Sequence, residues 1–180
     1  MLYTRQGDGG TTKTLHCDQR LSKSSAIAEA LGDVDELNSC LGFCKTQCQG
    51  LPLPLLEIQQ NLFIIQAELA GVPPRRGKPL TITADKVEKM EEVINKIEKE
   101  LPPIKTFFIP GATEDGALLD YARTIARRAE RRVVKVKEEN LIKLSDSTMA
   151  YLNRLSSLLY ALARLVNHKS GIKEESPNYR

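Results

Sequence analysis

The sequence predicts an all-α protein, a single domain built as a five-helix up-and-down bundle with a glycine-rich N-terminal extension. Apolar residues recur at intervals of three and four in five separate segments, which is the spacing of one buried helix face. Glycine and proline stand between most of these segments, where they end one helix and turn the chain toward the next. With 180 residues, 41% of them apolar, the chain is long enough to bury one core.

The first part of the chain predicts an extension followed by two helices. Residues 1–23 hold three glycines around Asp8, a composition typical of loop or short extended structure. The apolar spacing then predicts a first helix over 25–48 and a second over 55–70. The second is the more uniformly apolar, so we expect it to be the most buried helix.

The remaining chain predicts three more helices and a polar tail. The helix over 84–101, capped by Thr83, carries charges that alternate in sign, and we expect it to face solvent. The fourth and fifth helices are predicted over 115–138 and 147–168. Residues 171–180 are polar and are predicted to be a flexible tail.

Composition excludes several classes of function. A net charge of +3 is too small to indicate a nucleic-acid-binding protein. No apolar run approaches the roughly 20 residues of a membrane span, and no apolar signal segment opens the chain, so we expect a cytoplasmic protein. Its four cysteines do not indicate disulfides. Cys40, Cys44 and Cys48 share one helix face, where packing is the favoured interpretation and a soft metal the alternative.

The fourth helix carries the clearest candidate site. Arg123, Arg127 and Arg131 follow one another at intervals of four and therefore form one stripe. The stripe is either a solvated basic face with local ion pairs or a site for a polyphosphate, to which the planar guanidinium donates paired hydrogen bonds. Asp35, on the first helix, is either solvated or paired with an arginine of a neighbouring subunit.

The glycine-rich extension supplies a second feature that suits phosphate. Glycine lets backbone N–H groups approach an anion, and threonine hydroxyls and Lys23 follow nearby. A mobile N-terminal turn is the alternative interpretation. The GxxxxGK[ST] order is absent, which excludes the mononucleotide-binding βαβ fold. His16 and His168 have no partner at a spacing typical of metal or acid–base chemistry.

Six segments of the sequence stand out together: TRQGDGGTT (4–12), Ser22-Lys23, VDELNS (34–39), FFIPG (107–111), ARTIARRAERR (122–132) and YLNRLS (151–156). In this order they resemble a known family, the PduO-type corrinoid adenosyltransferases. The resemblance covers nearly the whole chain.

The resemblance implies a five-helix bundle of ferritin-like arrangement that assembles as a homotrimer with active sites between subunits. It implies that the cobalt(I) of cobalamin attacks the 5′-carbon of ATP, giving adenosylcobalamin and triphosphate, with Mg²⁺ carried by the phosphates rather than by protein side chains. A flavoprotein reductase and an adenosylcobalamin-dependent enzyme are the implied partners. A noncatalytic, ATP-sensing helical bundle is the alternative.

The resemblance also implies roles for particular residues. Asp35 and Arg123 match an intersubunit ion pair, and Phe107 matches the aromatic residue that covers the lower face of cobalt and excludes the dimethylbenzimidazole base. ATP is expected to be held from one subunit by Thr4, Arg5, Gln6, Gly7, Thr12, Lys13 and Lys23. The neighbouring subunit is expected to hold it through Arg127, Arg128, Glu130, Arg131 and Asn153.

Overall fold

A computed structural model confirms the helical bundle, and its five helices begin and end within one residue of the predicted bounds. The structure describes residues 3–14, 20–51, 53–74, 77 and 80–179, so His16 and Cys17 lie outside it. The elements of the described residues are β1 (Thr11–Lys13), β2 (Arg20–Ser22), α1 (Ala26–Gln47), α2 (Leu55–Leu69), α3 (Ala84–Glu100), α4 (Glu114–Glu138) and α5 (Asp146–Lys169).

Side-chain caps explain where three of the helices begin. Ser25, Thr113 and Ser145 each accept a hydrogen bond from the backbone N–H three residues later, which satisfies a donor that the first helical turn leaves unpaired. Thr83 occupies the equivalent position before α3, but its side chain makes no such bond. The prediction that Thr83 caps α3 is therefore right for the position and wrong for the side-chain bond.

The helices pack in the lateral order α2, α1, α4, α5, α3. The expectation that the second helix is the most buried is wrong, because α5 contributes twelve buried residues and α2 only six. The reason is position: α5 lies between α4 and α3, whereas α2 packs mainly on α1 and leaves Phe63 63% exposed. The amphipathic α3 lies at the other edge with most of its residues in solvent, as expected.

The extension forms a small antiparallel hairpin, in which β1 pairs with β2 and Thr12 lies opposite Leu21. None of the helices among the described residues combines the length and the apolar character that a bilayer crossing requires.

Tyr151, buried in α5, gives the fold a testable response to alkaline pH. Its hydroxyl accepts a hydrogen bond from Asn61 Nδ2 at 3.0 Å, and burial raises the pKa of Tyr151 to about 12. The unfolded chain therefore loses this proton near pH 10, before the folded chain does. We expect the free energy of unfolding to fall by about 1 kcal/mol per pH unit between pH 10 and pH 12.

Urea titrations of the wild type and of Tyr151→Phe over this pH range check the expectation. The variant lacks the ionisable hydroxyl, so its free energy of unfolding should decline less steeply than that of the wild type. Equal slopes would show that Tyr151 does not titrate in this way.

Candidate arginine and glycine-rich site

Four of the five arginines of α4 fall into two pairs that face different surroundings. Arg127 and Arg131 are exposed, and neither forms a salt bridge with a described residue. Their one mutual contact is the hydrogen bond that Arg131 Nη1 donates to the Arg127 carbonyl oxygen at 3.1 Å. Two guanidinium groups one turn apart that form no ion pair with a described residue give a local excess of positive charge, which an anion would relieve.

The second group is neutralised by acidic residues of α1. Arg128 contacts Glu36 and Asp33, and Arg132 contacts Glu29 at 2.9 Å and Asp33 at 3.6 Å. The hydrogen bond to Glu36 raises the pKa of Arg128 above its usual value. Arg128, predicted to bind ATP, therefore lies against its own α1 in this structure.

Sequence reasoning missed this ion-pair network, although a signal was present. The acids follow one another at intervals of four and three, and the two arginines at an interval of four, so each set lines one side of its helix. What the sequence lacks is the pairing of α1 with α4, which sets the two rows side by side.

Arg123 and Asp35 are not joined by an ion pair within the described residues. Arg123 Nε donates to Asp120 Oδ1 at 2.5 Å and its guanidinium lies 5.9 Å from the centre of the Tyr160 ring. Asp35 is exposed on α1 and accepts a hydrogen bond of 3.4 Å from Gln66. Among the described residues, Asp35 thus has no cationic partner.

The structure does bring together two of the predicted residues, Glu130 of α4 and Asn153 of α5. Asn153 Nδ2 donates to Glu130 Oε1 at 2.8 Å, and Arg154 Nη1 donates to Asn153 Oδ1 at 2.9 Å. This chain of bonds fixes the orientation of the Asn153 amide near the exposed arginines of α4.

In the extension, Lys23 lies beside the glycine turn. A Cβ atom at Gly7 would lie 3.2 Å from Lys23 Nζ, so the ammonium group lies close against the Gly7 backbone and would have to shift slightly for a larger residue. The backbone N–H of Lys23 donates to the Gly10 carbonyl at 3.0 Å, and Gly10 has a φ of +75°, which favours glycine. The predicted residues Thr4, Arg5, Gln6, Gly7, Thr12 and Lys13 all lie on this turn or on β1.

Arg20 is a residue of this turn that sequence reasoning did not single out. Its guanidinium donates to the Thr11 hydroxyl at 2.8 Å, to the Thr11 carbonyl at 3.0 Å and to the Gln6 carbonyl. These bonds hold the glycine turn against the hairpin. Arg20 lies on β2, outside the glycine-rich segment that the sequence analysis considered. Its bonds to that segment become apparent only once β1 is known to pair with β2.

Phe107 lies in the segment before α4 and is 75% exposed. The next residue, Phe108, is covered by the guanidinium of Arg164, 4.5 Å from its ring centre. The backbone N–H of Ile109 donates to the Glu175 carbonyl at 2.8 Å. The polar tail, which the sequence predicts to be flexible, contributes a specific contact to this segment.

The three described cysteines are free thiols. Burial raises the pKa of Cys48 to about 11, and the hydrogen bond with Cys40, together with burial, raises the pKa of Cys44. Buried thiols that stay protonated are poor ligands and poor nucleophiles. No three His, Cys, Asp or Glu side chains converge as a metal site among the residues that the structure covers.

Comparison with known proteins gives consistent matches. A family model described as cobalamin adenosyltransferase matches residues 2–166. The corrinoid adenosyltransferase PduO of Citrobacter freundii is 41% identical over 170 residues, 93% of this chain and 50% of that protein. The corrinoid adenosyltransferase of Bacillus subtilis is 39% identical over 95% of this chain and 89% of the relative. The chain thus spans about half the length of the PduO relatives from Citrobacter and Salmonella.

Solved structures match over the whole fold. A phenylalanine-to-histidine variant of the PduO-type ATP:corrinoid adenosyltransferase from Lactobacillus reuteri, complexed with cobalamin and ATP, superposes with a TM-score of 0.88 at 31% identity. The match covers 99% of this chain and 97% of the other. An arginine-to-lysine variant of the PduO-type adenosyltransferase from Lactobacillus reuteri, complexed with ATP, superposes with a TM-score of 0.87 at 32% identity. That match covers 98% of this chain and 100% of the other.

Proposed function

We propose, because the chain belongs to the cobalamin adenosyltransferase family, that it transfers the 5′-deoxyadenosyl group of ATP to the cobalt of cob(I)alamin. The electron pair of cobalt(I) forms the bond to the 5′-carbon, the bond from that carbon to the phosphate oxygen breaks, and triphosphate leaves with its electrons. The observation that best supports the proposal is that Arg127 and Arg131 form no ion pair with any acidic residue that the structure describes, while Arg128 and Arg132 beside them are neutralised.

Exposed, unpaired arginine side chains can stabilise the negative charge of the triphosphate leaving group. Triphosphate develops charge as the bond breaks, and preorganised cations lower the energy of that transition state. The Lys23 ammonium, held beside the Gly7 backbone, adds a third cation of the same kind. We propose that Mg²⁺ enters with the phosphates, since hard oxygen ligands suit it.

The two phosphate-binding surfaces are proposed to meet in a homotrimer. Within the described residues, Arg127 and Arg131 make no hydrogen bond or ion pair with the glycine-rich turn. Placing the turn of one subunit against α4 of the next would bring both sets of donors to one polyphosphate. The carboxylate of Asp35, which pairs with no cation that the structure describes, would then find one in Arg123 of the adjoining subunit, in competition with Asp120.

The corrinoid chemistry is proposed to depend on Phe107. An exposed aromatic ring on an otherwise anchored segment can cover the lower face of cobalt and exclude the dimethylbenzimidazole base. Cobalt supplies the nucleophile, so the protein needs to orient it and not to remove a proton. We propose a flavoprotein reductase as electron donor and an adenosylcobalamin-dependent enzyme as recipient of the product.

Anaerobic incubation with ATP, Mg²⁺ and reduced cobalamin tests the proposal. We expect a light-sensitive alkyl-cobalt product and one triphosphate per product. An absorbance titration of the corrinoid with and without ATP then measures the corrinoid affinity. ATP binding with no corrinoid affinity and no triphosphate would contradict the proposal and support a noncatalytic ATP-sensing bundle.

A further inference from the structure

The segment 107–111 presents one aromatic side chain to solvent and is anchored by the residues that follow. Phe107 is exposed, whereas Phe108 is half-buried beneath the Arg164 guanidinium at 4.5 Å. The Ile109 N–H donates to the Glu175 carbonyl. Both anchors lie on the C-terminal side of the chain, one on α5 and one on the tail after it.

Arg164 is an unusual anchor because its side chain is only 7% exposed. Burying a guanidinium is costly unless a carboxylate and further hydrogen bonds compensate for the lost water. Glu174 supplies the carboxylate: its Oε2 lies 3.1 Å from Arg164 Nε, and its side chain is 12% exposed.

The second oxygen of Glu174 links the same pair to the start of α4. Asn167 Nδ2 donates to Glu174 Oε1 at 3.0 Å, and the Thr113 hydroxyl donates to Asn167 Oδ1 at 2.7 Å. Thr113 is also the N-cap of α4. Glu174 therefore connects the tail to Phe108 through Arg164 and to the start of α4 through Asn167.

We infer that Glu174 is a positioning residue that, through Arg164, holds the 107–111 segment in the conformation that presents Phe107. The inference about catalysis rests on the proposed function, whereas the inference about the segment does not. Without the carboxylate, the buried guanidinium has no countercharge and moves toward water, and Phe108 loses the group that covers it. The segment then samples other conformations, and Phe107 no longer stays on one side of the corrin ring.

The chain offers a matched control one residue away. Glu175 contributes its backbone carbonyl to the segment, and its residue is exposed. Glu174→Ala and Glu175→Ala therefore remove the same side chain from neighbouring positions, only one of which pairs with Arg164. Glu174→Gln keeps the size and the hydrogen bond from Asn167 while removing the charge, so it serves if the alanine variant is too unstable.

Hydrogen–deuterium exchange without any ligand tests the structural half. We expect the Ile109 amide to exchange about tenfold faster in Glu174→Ala or Glu174→Gln than in the wild type, since local opening sets its protection. Glu175→Ala should exchange like the wild type. Unchanged protection in both Glu174 variants would overturn the inference.

Kinetics test the catalytic half. We expect Glu174→Ala to slow turnover from cobalt(II) by about tenfold, or about 1.4 kcal/mol, with the KM for ATP and the rate from preformed cobalt(I) close to wild type. Glu174→Asp, which retains the charge, should recover most of the rate. Equal slowing from cobalt(I) and cobalt(II), or a matching rise in the KM for ATP, would assign Glu174 to general stability and refute the positioning role.

The two proposals fail in different ways. A wild-type protein that yields no alkyl-cobalt product under any condition refutes the proposed function, and the exchange comparison still decides whether Glu174 holds the segment. A wild type that is active, with Glu174 variants that match it in exchange and in both assays, refutes the positioning role alone.

Discussion

Replacing Arg127 with alanine is expected to reduce kcat/KM for ATP by about 10- to 150-fold. The side chain donates charge-assisted hydrogen bonds to the triphosphate in the proposed complex, and each such interaction contributes about 1.5–3 kcal/mol. Arg127 pairs with no acidic residue in the part of the chain that the structure describes, so its removal should leave the fold unchanged. Steady-state kinetics and ATP titration, with circular dichroism to confirm the fold, measure the effect.

Arg132→Ala is the matched control on the same helix. Its guanidinium is paired with Glu29 and Asp33 of α1, so its loss should cost stability of about 1 kcal/mol or less and leave ATP kinetics nearly unchanged. If the two variants lose ATP affinity equally, the loss reflects the removal of one positive charge from α4 and not a direct contact of Arg127 with ATP. If Arg127→Ala retains wild-type kinetics, the guanidinium does not touch the substrate.

Replacing Phe107 with alanine is expected to slow turnover from cobalt(II) by about a hundredfold while ATP affinity is retained. Without the ring, the dimethylbenzimidazole base coordinates cobalt and lowers its reduction potential, and each 59 mV costs a factor of ten in reduced cobalt. Anaerobic assays that begin from cobalt(II) or from preformed cobalt(I) separate reduction from adenosyl transfer. The cobalt(I) assay should be close to wild type.

Phe43→Ala provides the control, because Phe43 is also a largely exposed phenylalanine but lies near the end of α1. It should leave both assays unchanged. Equal loss from cobalt(II) and cobalt(I) in Phe107→Ala would show that the ring supports the transfer step itself and would contradict base exclusion.

The helices were predictable because their apolar spacing and the residues that end them are local signals, as α1 shows. The apolar spacing that predicts α1 places Ala30, Val34, Leu37 and Leu41 in the core, and the hydroxyl of Ser25 caps the first turn where the sequence places the start. Such signals depend on neighbours within a few residues of one another. For that reason they needed no knowledge of how the helices pack.

The features that sequence reasoning missed depend on contacts between distant parts of the chain. The buried position of Arg164 requires a carboxylate, but only the path of the tail supplies Glu174 to it. Likewise, α2 is less buried than α5 because it packs mainly on one neighbour, α1. The composition of α2 does not indicate how many helices pack on it. The stripe of Arg123, Arg127 and Arg131 was predicted as a helical feature, yet the sequence did not indicate that Arg128, beside it, pairs with the acidic side of α1.

The acidic side of α1 also controls how strongly α4 attracts anions from a distance. Asp33 contacts both Arg128 and Arg132, so a neutral residue there would weaken two pairs together. Arg128 and Arg132 would keep Glu36 and Glu29 as partners, but with one negative charge fewer the positive electrostatic potential around α4 would strengthen. The encounter with ATP would then be faster at low ionic strength, and its rate would be more sensitive to salt. A residue with no proposed contact to phosphate would in this way tune how fast the surface captures anions.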